Sequence, residues 1–159
     1  MKQELLIGIT ESGVMHTDAD PPIPLGTKFQ MVKESGVYDY FDKTPPLELE
    51  DDYRRCSEKY ELPILAGGWF YVLGRDEDLL MENLRLGARL GSLVHNTQII
   101  MDHQDGSLVS DEQVVEIYLR AYETGEACGC RPTFEVHVNM WSEDFRRIEK
   151  VADLVEKPV

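Results

Sequence analysis

Three polar side chains in one short segment are the first candidates for chemistry. Residues Thr133 to Val138 are predicted to form a strand in which Glu135, His137 and, just beyond it, Asn139 share one face, while apolar residues occupy the other. In a parallel sheet covered on both faces, a carboxylate and an imidazole near a strand's carboxyl end require a metal, a cation or a substrate as partner. Ligands of such sheets collect at that end. The alternatives are a face open to water or a satisfied polar network.

Two further candidates follow other predicted strands. His103 lies just past the fourth strand, next to an Asp105-Gly106 turn, which is a position typical of a site residue. Trp69 follows Gly67-Gly68 at the end of the third strand, where the glycines allow a close approach and the ring can cover the mouth of a site. The alternatives are that His103 is a surface residue and that Trp69 belongs to the core.

The remaining two histidines are assigned structural roles. His16 lies in an irregular loop several residues after the first strand. His95 precedes the predicted fourth strand and would therefore lie at the amino-terminal edge of the sheet, away from the expected site.

Strand and helix patterns alternate along the whole sequence. Short apolar or alternating runs predict five strands, at Leu5–Thr10, Val37–Phe41, Ile64–Tyr71, Thr97–Met101 and Thr133–Val138. Strands that alternate with helices of this length pair in parallel through right-handed crossovers. The sequence therefore predicts an α/β fold of about five parallel strands with flanking helices, in a single domain over residues 1–159.

Local signals predict where the helices begin and end. Each predicted helix carries an apolar stripe at a spacing of three or four residues, which is typical of one buried face. The first helix is expected around Thr27–Glu34 and ends at Gly36, and the second begins at Pro45-Pro46. The third is capped by Asp76 and ends at Gly91. The fourth begins with a capping box of Ser110 with Gln113 and has an apolar stripe up to Gly125, and the last begins at Ser142.

Composition and charge exclude several classes of partner. The chain has 159 residues and a formal charge of −14, which disfavours nonspecific binding to nucleic acid or to an anionic membrane surface. No apolar run approaches the roughly 20 residues that span a bilayer, and no secretory signal is convincing, so a cytoplasmic location is expected. The Cys128-Gly129-Cys130 segment is one residue too tight for a zinc knuckle, so its thiols are expected to be free.

The order of predicted strands and helices, together with the segment around Glu135 and His137, resembles the xylose isomerase-like TIM barrels. This family includes sugar isomerases and epimerases, inosose dehydratase and the AP endonuclease family 2 fold. The resemblance runs from the strand at Gly36–Tyr40 to the end, and is strongest over Val94–Glu149. It implies that Glu135 is the first ligand of a divalent cation, namely Mn, Mg, Co or Zn. It also implies a sugar or polyol substrate, His137 and His103 as catalytic residues, and Trp69 and Asn139 as substrate-binding residues.

The sequence departs from this family in its number of βα units. A full barrel has eight units and about 250 residues, whereas this sequence ends after the fifth, so a partial TIM barrel is expected. The other metal ligands of the family, an Asp, a His and a second Glu, lie on strands six to eight, which this sequence does not contain. Two open strand edges and a half-bare inner face predict a homo-oligomer.

Two classes of function follow from this comparison. The first is a metal-dependent sugar or polyol isomerase, epimerase or dehydratase that acts through an enediolate in the complete barrel. The second is a noncatalytic partial barrel that acts through self-association or with a partner chain. A DNA-repair nuclease of the same fold would show a basic groove and a cluster of histidines, and the charge of −14 with only four histidines argues against it.

Overall fold

A parallel sheet of five strands forms the centre of the protein. In a computed structural model, which describes residues 5–14 and 21–155, the strands lie side by side in chain order. They are β1 (Gly8–Thr10), β2 (Tyr40–Asp42), β3 (Ile64–Tyr71), β4 (Val94–Ile99) and β5 (Arg131–Phe134). All four neighbouring pairs are parallel. The predicted α/β architecture of five parallel strands with flanking helices is confirmed. His16 lies outside the described residues.

Two strand boundaries differ from the prediction in ways that move predicted residues. β4 begins at Val94 instead of Thr97, so His95 lies inside the strand and not before it. β5 ends at Phe134, and Glu135, His137 and Asn139 therefore lie in the following loop and not on a strand face. The physical reason is register: β4 begins where β3 offers partners, and the pairing of β5 with β4 ends at Phe134.

Five α-helices connect or follow the strands. They are α1 (Leu25–Ser35), α2 (Glu50–Tyr60), α3 (Glu77–Leu90), α4 (Asp111–Cys128) and α5 (Phe145–Val155), with short 3-10 helices at Glu11–Val14, Leu47–Leu49 and Trp141–Glu143. No helix within residues 5–14 and 21–155 is both long and apolar enough to cross a membrane.

The predicted helix signals have mixed outcomes. Gly36 and Gly91 end their helices in the left-handed conformation, and the capping box of Ser110 with Gln113 is present in both directions. Asp76 occupies the N-cap position of α3, but its side chain accepts no hydrogen bond from the helix backbone. Its carboxylate accepts instead from the backbone N–H of Val72 and from Arg75. Ser142 is likewise not a cap: its hydroxyl donates to the carbonyl of Glu135.

The helices cover one face of the sheet with two apolar clusters. The larger cluster packs α3, α4 and α5 against β3, β4 and β5, around Leu84, Val114 and Trp141. The smaller cluster packs α1 and α2 against β1, β2 and the start of β3, with Phe29 stacked on Phe41 at 4.4 Å between ring centroids. This helix-covered face is called the outer face below, and the opposite face is the inner face.

A buried chain of polar side chains crosses the outer face. The side-chain amide of Asn83 on α3 donates to the Tyr71 hydroxyl, which lies 2.6 Å from Nε2 of His95, while Nδ1 of His95 lies 3.2 Å from the Thr44 hydroxyl. Burial lowers the pKa of His95 to about 4. The predicted structural role of His95 is confirmed, although its position is within the strand and not at its amino-terminal edge.

We predict that His95 makes the protein less stable as the pH falls below neutrality. Its pKa is about 4 in the folded state and about 6.5 in the unfolded state, so the unfolded chain binds the proton first. Between pH 7 and pH 5 this group lowers the free energy of unfolding by about 2 kcal/mol. Urea unfolding at both pH values measures the loss. His95→Gln should lose about that much less over the same interval, and an equal loss in the variant would contradict the assignment.

Candidate active site

The inner face carries polar side chains at the carboxyl ends of the strands. Phe41, Ile99 and Phe134 pack in the outer clusters, so alternation places their strand neighbours on the inner face. These neighbours include Asp42 on β2 and Gln98 on β4. The inner face is therefore polar at the end of the sheet where ligands of such folds bind.

Glu135 follows β5 directly and is fixed from two sides. Gln98 Nε2 donates to Glu135 Oε2 at 2.8 Å, and the backbone carbonyl of Glu135 accepts from the Ser142 hydroxyl at 2.5 Å. Both Gln98 and Ser142 are buried. The carboxylate is thus held at the edge of the inner face although its residue lies outside the strand.

Asp42 is the second carboxylate of this face. Its pKa is raised above the ordinary value, first by burial and second by the negative charge of Glu135, while Lys43 acts in the opposite direction. Both carboxylates lie at the carboxyl ends of their strands, with β3 and β4 between β2 and β5. They are called the Asp42–Glu135 pair below, and Asp42 takes up a proton more readily than an ordinary aspartate.

His137 and Asn139 lie in the same loop as Glu135. The His137 ring contacts Phe70 edge-on, with 6.2 Å between centroids, and its Nδ1 lies 2.9 Å from the carbonyl oxygen of Val138. Since a carbonyl only accepts, Nδ1 carries the proton and Nε2 is the acceptor nitrogen of the neutral ring. Asn139 adopts the left-handed conformation with φ of 64°, and its backbone N–H donates to Glu143. Both side chains are exposed.

Trp69 and His103 are not brought to this pair. Trp69 lies on the outer face of β3, because side chains alternate along the strand and Phe70 occupies the inner side. It lines a pocket there with Pro46 and Asn83. His103 lines a cleft of about 530 Å³ with residues of α3 and α4, and its Nδ1 lies 3.1 Å from Asp105. Their predicted roles in catalysis and substrate binding stay predictions, as do those of Glu135, His137 and Asn139.

The sequence analysis missed two residues of the inner face. Asp42 ends a strand whose residues alternate between large apolar and polar types, and Gln98 alternates with Thr97 and Ile99 in β4. The available signal was a polar residue on every second position of a strand near its carboxyl end. For Asp42 this signal was hidden because the predicted second strand stopped at Phe41, one residue earlier. Gln98 lies inside the predicted fourth strand, so the same signal was available there.

Solved structures with a similar fold exist, although the sequence itself has no recognisable match. No family model matches the sequence, and no curated protein matches it. Among solved structures, the IolI protein with a bound zinc atom superimposes with a TM-score of 0.67 at 14% identity, over 96% of this chain and 60% of that one. An AP endonuclease, family 2, from Brucella melitensis also has a TM-score of 0.67, at 11% identity, over 92% of this chain and 65% of that one.

An L-ribulose 3-epimerase superimposes with a TM-score of 0.57 at 14% identity, over 94% of this chain and 58% of that one. The chain has the fold of a partial TIM barrel, as predicted. It spans about three fifths of the length of these structures. At such low identity the likeness is one of fold, and function has to be argued from the site.

The divalent cation expected from the resemblance would have to be held by the inner-face residues. Glu135 and Asp42 offer carboxylates, but Gln98 presents its N–H to Glu135, and its Oε1 is buried without a partner. Within residues 5–14 and 21–155, no group of three or more His, Cys, Asp or Glu side chains could hold a metal ion. Divalent cations need several ligands to compete with water. These residues by themselves therefore do not fit the cation.

We predict that Glu135→Gln lowers the pKa of Asp42. The substitution removes one of the two causes that raise this pKa, and burial, the larger cause, keeps it above the ordinary value. Carboxyl-detected NMR titration of both proteins measures the shift. Glu116→Gln on α4 removes the same charge from the outer side and is expected to leave the Asp42 titration unchanged. An unchanged pKa in Glu135→Gln would show that the two carboxylates are not coupled.

Proposed function

We propose that the chain carries the acid–base pair of an isomerase, epimerase or dehydratase that acts on a sugar or polyol. The observation that carries the proposal is the Asp42–Glu135 carboxylate pair at the carboxyl ends of β2 and β5. Two carboxyl groups in different environments supply a base and an acid within one site. The xylose isomerase-like fold, which the IolI protein and an L-ribulose 3-epimerase share, supports this class.

The two carboxyl groups take different roles in this reaction. Glu135 removes the proton from the carbon next to a carbonyl, and the electron pair of that C–H bond forms an enediolate. Asp42, whose pKa is raised, donates its proton to the developing negative charge on the carbonyl oxygen. For the isomer, Glu135 returns its proton to the neighbouring carbon, and the hydroxyl on the first carbon gives its proton to the Asp42 carboxylate and becomes the new carbonyl. For the epimer, water gives a proton to the opposite face of the same carbon, Glu135 gives its proton to solvent, and the oxygen protonated by Asp42 gives its proton back to Asp42 and becomes a carbonyl again.

The surroundings of the pair favour a neutral, hydroxyl-rich substrate. Gln98 holds Glu135, and the bond between Thr133 and Asn96 places a further hydroxyl and amide on the same face. Such groups exchange hydrogen bonds with hydroxyl groups, and Phe70 offers an aromatic surface to the C–H face of a sugar ring. The formal charge of −14 disfavours an anionic substrate. We place this chemistry in carbohydrate metabolism in the cytoplasm.

The loop after β5 completes the substrate side of the proposal. His137 offers Nε2 as an acceptor beside Phe70, and Asn139 lies two residues further in the same loop, so both can orient hydroxyl groups at the mouth. The Mn, Mg, Co or Zn ion expected from the resemblance carries no step here, because the described residues do not supply its ligands. The proposal depends only on groups of this chain.

Exchange of a carbon-bound proton with solvent tests the proposal. The chain is incubated with neutral aldoses and ketoses in D₂O, and NMR follows the replacement of the proton on the carbon next to the carbonyl by deuterium. We expect exchange with one of these substrates and a loss of at least about a hundredfold in Glu135→Gln and in Asp42→Asn, since general acid–base groups contribute about that factor. Glu116→Gln should exchange at the normal rate. Absence of exchange throughout the panel, or full exchange in Glu135→Gln, would refute the proposal.

We also propose that the chain forms a homo-oligomer through the region beside the inner face. Phe70, Val136 and Val138 are exposed there, in contact with or next to His137, and β1 and β5 each have one edge that no described strand covers. Exposed apolar groups and open strand edges favour pairing with another chain. Association of this kind is compatible with the catalytic proposal and also describes the alternative of a noncatalytic module.

Light scattering across a concentration series tests this association. We expect a dimer or larger species, and we expect the double substitution Val136→Ser with Val138→Ser to weaken it by at least about tenfold, because it removes apolar area from the contact. Leu108→Ser, at an exposed residue of the β4–α4 loop, is the matched control and should associate normally. A monomer at all concentrations would refute the homo-oligomer.

A further inference from the structure

A second pocket lies on the outer face, apart from the carboxylate pair. It has a volume of about 290 Å³ and opens between the loop after β2, the end of β3 and the first turns of α3. Its lining consists of Thr44, Pro45, Pro46, Leu47, Glu48, Trp69, Leu79, Glu82 and Asn83. Trp69 belongs to this pocket, whereas its neighbour Phe70 contacts His137 beside the inner face, so the two rings serve different sides of β3.

The walls of this outer pocket are apolar and open to solvent. Trp69 is 41% exposed, Leu47 is 47% exposed and Leu79 is 38% exposed. Pro45 and Pro46 add two rigid rings without backbone donors. A concave surface of this size and composition is typical of a site for a small apolar group.

The rim of the outer pocket is negatively charged. Glu48 and Glu82 line it, and neither forms an ion pair with any residue of the described part of the chain, whereas the nearby Glu50 binds both Arg54 and Arg89. Lys43 lies 5.9 Å from the centroid of the Trp69 ring, and its ammonium group shares Glu11 with Lys28. The charge of Glu82 contributes to the raised pKa of Arg89, but the two residues do not form an ion pair. The pocket therefore offers an aromatic wall and two carboxylates outside ion pairs, which is the chemistry that attracts an organic cation.

The floor of the outer pocket is polar and belongs to the buried chain of hydrogen bonds. Tyr71 accepts from Asn83, its hydroxyl lies 2.6 Å from His95 Nε2, and His95 Nδ1 lies 3.2 Å from the Thr44 hydroxyl. Thr44 is 3% exposed, and among the described residues His95 is the hydrogen-bond partner of its hydroxyl. A hydroxyl can take part in more than one hydrogen bond, so the Thr44 hydroxyl keeps capacity for a second one at the floor, which favours a ligand with a hydroxyl group at its inner end.

We infer that this outer pocket binds an arylalkylammonium ion. The ammonium group lies at the rim between Glu48 and Glu82, the aromatic body packs on Trp69 and the proline rings, and a ring hydroxyl reaches the Thr44 hydroxyl at the floor. The ammonium group then faces two carboxylates, the aromatic body packs on an aromatic ring, and the ring hydroxyl exchanges a hydrogen bond with the Thr44 hydroxyl. This inference is independent of the acid–base chemistry proposed for the inner face.

Titration with tyramine, followed by NMR, tests the inference. The indole N–H signal of Trp69 should shift with a dissociation constant on the order of 1 mM, as expected for a ligand of this size. The indole N–H signal of Trp141, which is buried, is the internal reference. Phenethylamine lacks the hydroxyl and should bind several-fold more weakly, and 3-(4-hydroxyphenyl)propionate, which carries a negative charge, should not shift the Trp69 signal.

Charge-neutralising variants complete the test. The double substitution Glu48→Gln with Glu82→Gln should weaken tyramine binding by about tenfold, because each partly exposed ion pair contributes a few-fold. The double substitution Glu116→Gln with Glu123→Gln on α4 removes the same charge elsewhere and should bind normally. Equal binding of the anionic analogue, unchanged binding in the Glu48/Glu82 variant, or a Trp69 signal that does not move with tyramine would each overturn the inference.

Discussion

The parallel pairing of β3 with β4 is the constraint on which the rest of the structure depends. Six consecutive residue pairs, from Ala66 with Val94 to Tyr71 with Ile99, fix the register of the two longest strands of the sheet. Because side chains alternate across a sheet, this register also decides which side chains meet the helices and which meet the inner face. A slip of one residue would bring Gln98 to the helices and remove the partner of Glu135.

The two faces of the sheet differ in how their polar side chains are satisfied. The outer face is covered by helices and is apolar, except for the chain from Thr44 to Asn83, which keeps every buried nitrogen of His95 in a hydrogen bond. The inner face keeps its carboxylates at the edge, where Gln98 and Ser142 hold Glu135 in place. A satisfied polar chain stabilises a unique packing, whereas an incompletely satisfied set of carboxylates leaves capacity for a ligand.

The same elements serve both candidate sites. In β3, Phe70 contacts His137 on the inner face, and Trp69 lies beside α3 on the outer face. β2 ends at Asp42, whose carboxyl belongs to the inner-face pair, and the segment after it contains Thr44 and Glu48, which line the outer pocket. His95 lies between them within the sheet, since it binds Thr44 while its neighbour Asn96 binds Thr133. Chemistry on the two faces is thus separated by only one layer of backbone.

Several features followed from the amino-acid sequence by itself. The alternation of strand and helix patterns predicted the parallel α/β fold, and Gly36, Gly91 and the Ser110–Gln113 box marked helix ends because these signals act within a few residues. The −14 charge is also a property of the sequence alone. The candidate Glu135 could be singled out because a carboxylate near the end of an apolar strand is costly to leave without a partner.

The tertiary structure decided where the strands end and which side chains meet. Local patterns suggested that Glu135, His137 and Asn139 share a strand, but pairing with β4 stops at Phe134, and a loop carries all three. Asp42 and Gln98 join Glu135 although they are 93 and 37 residues away along the chain, and Trp69 faces the helices instead of the inner face. Such contacts depend on strand register and on the side from which each helix packs, and both are set by long-range pairing that no local sequence pattern contains.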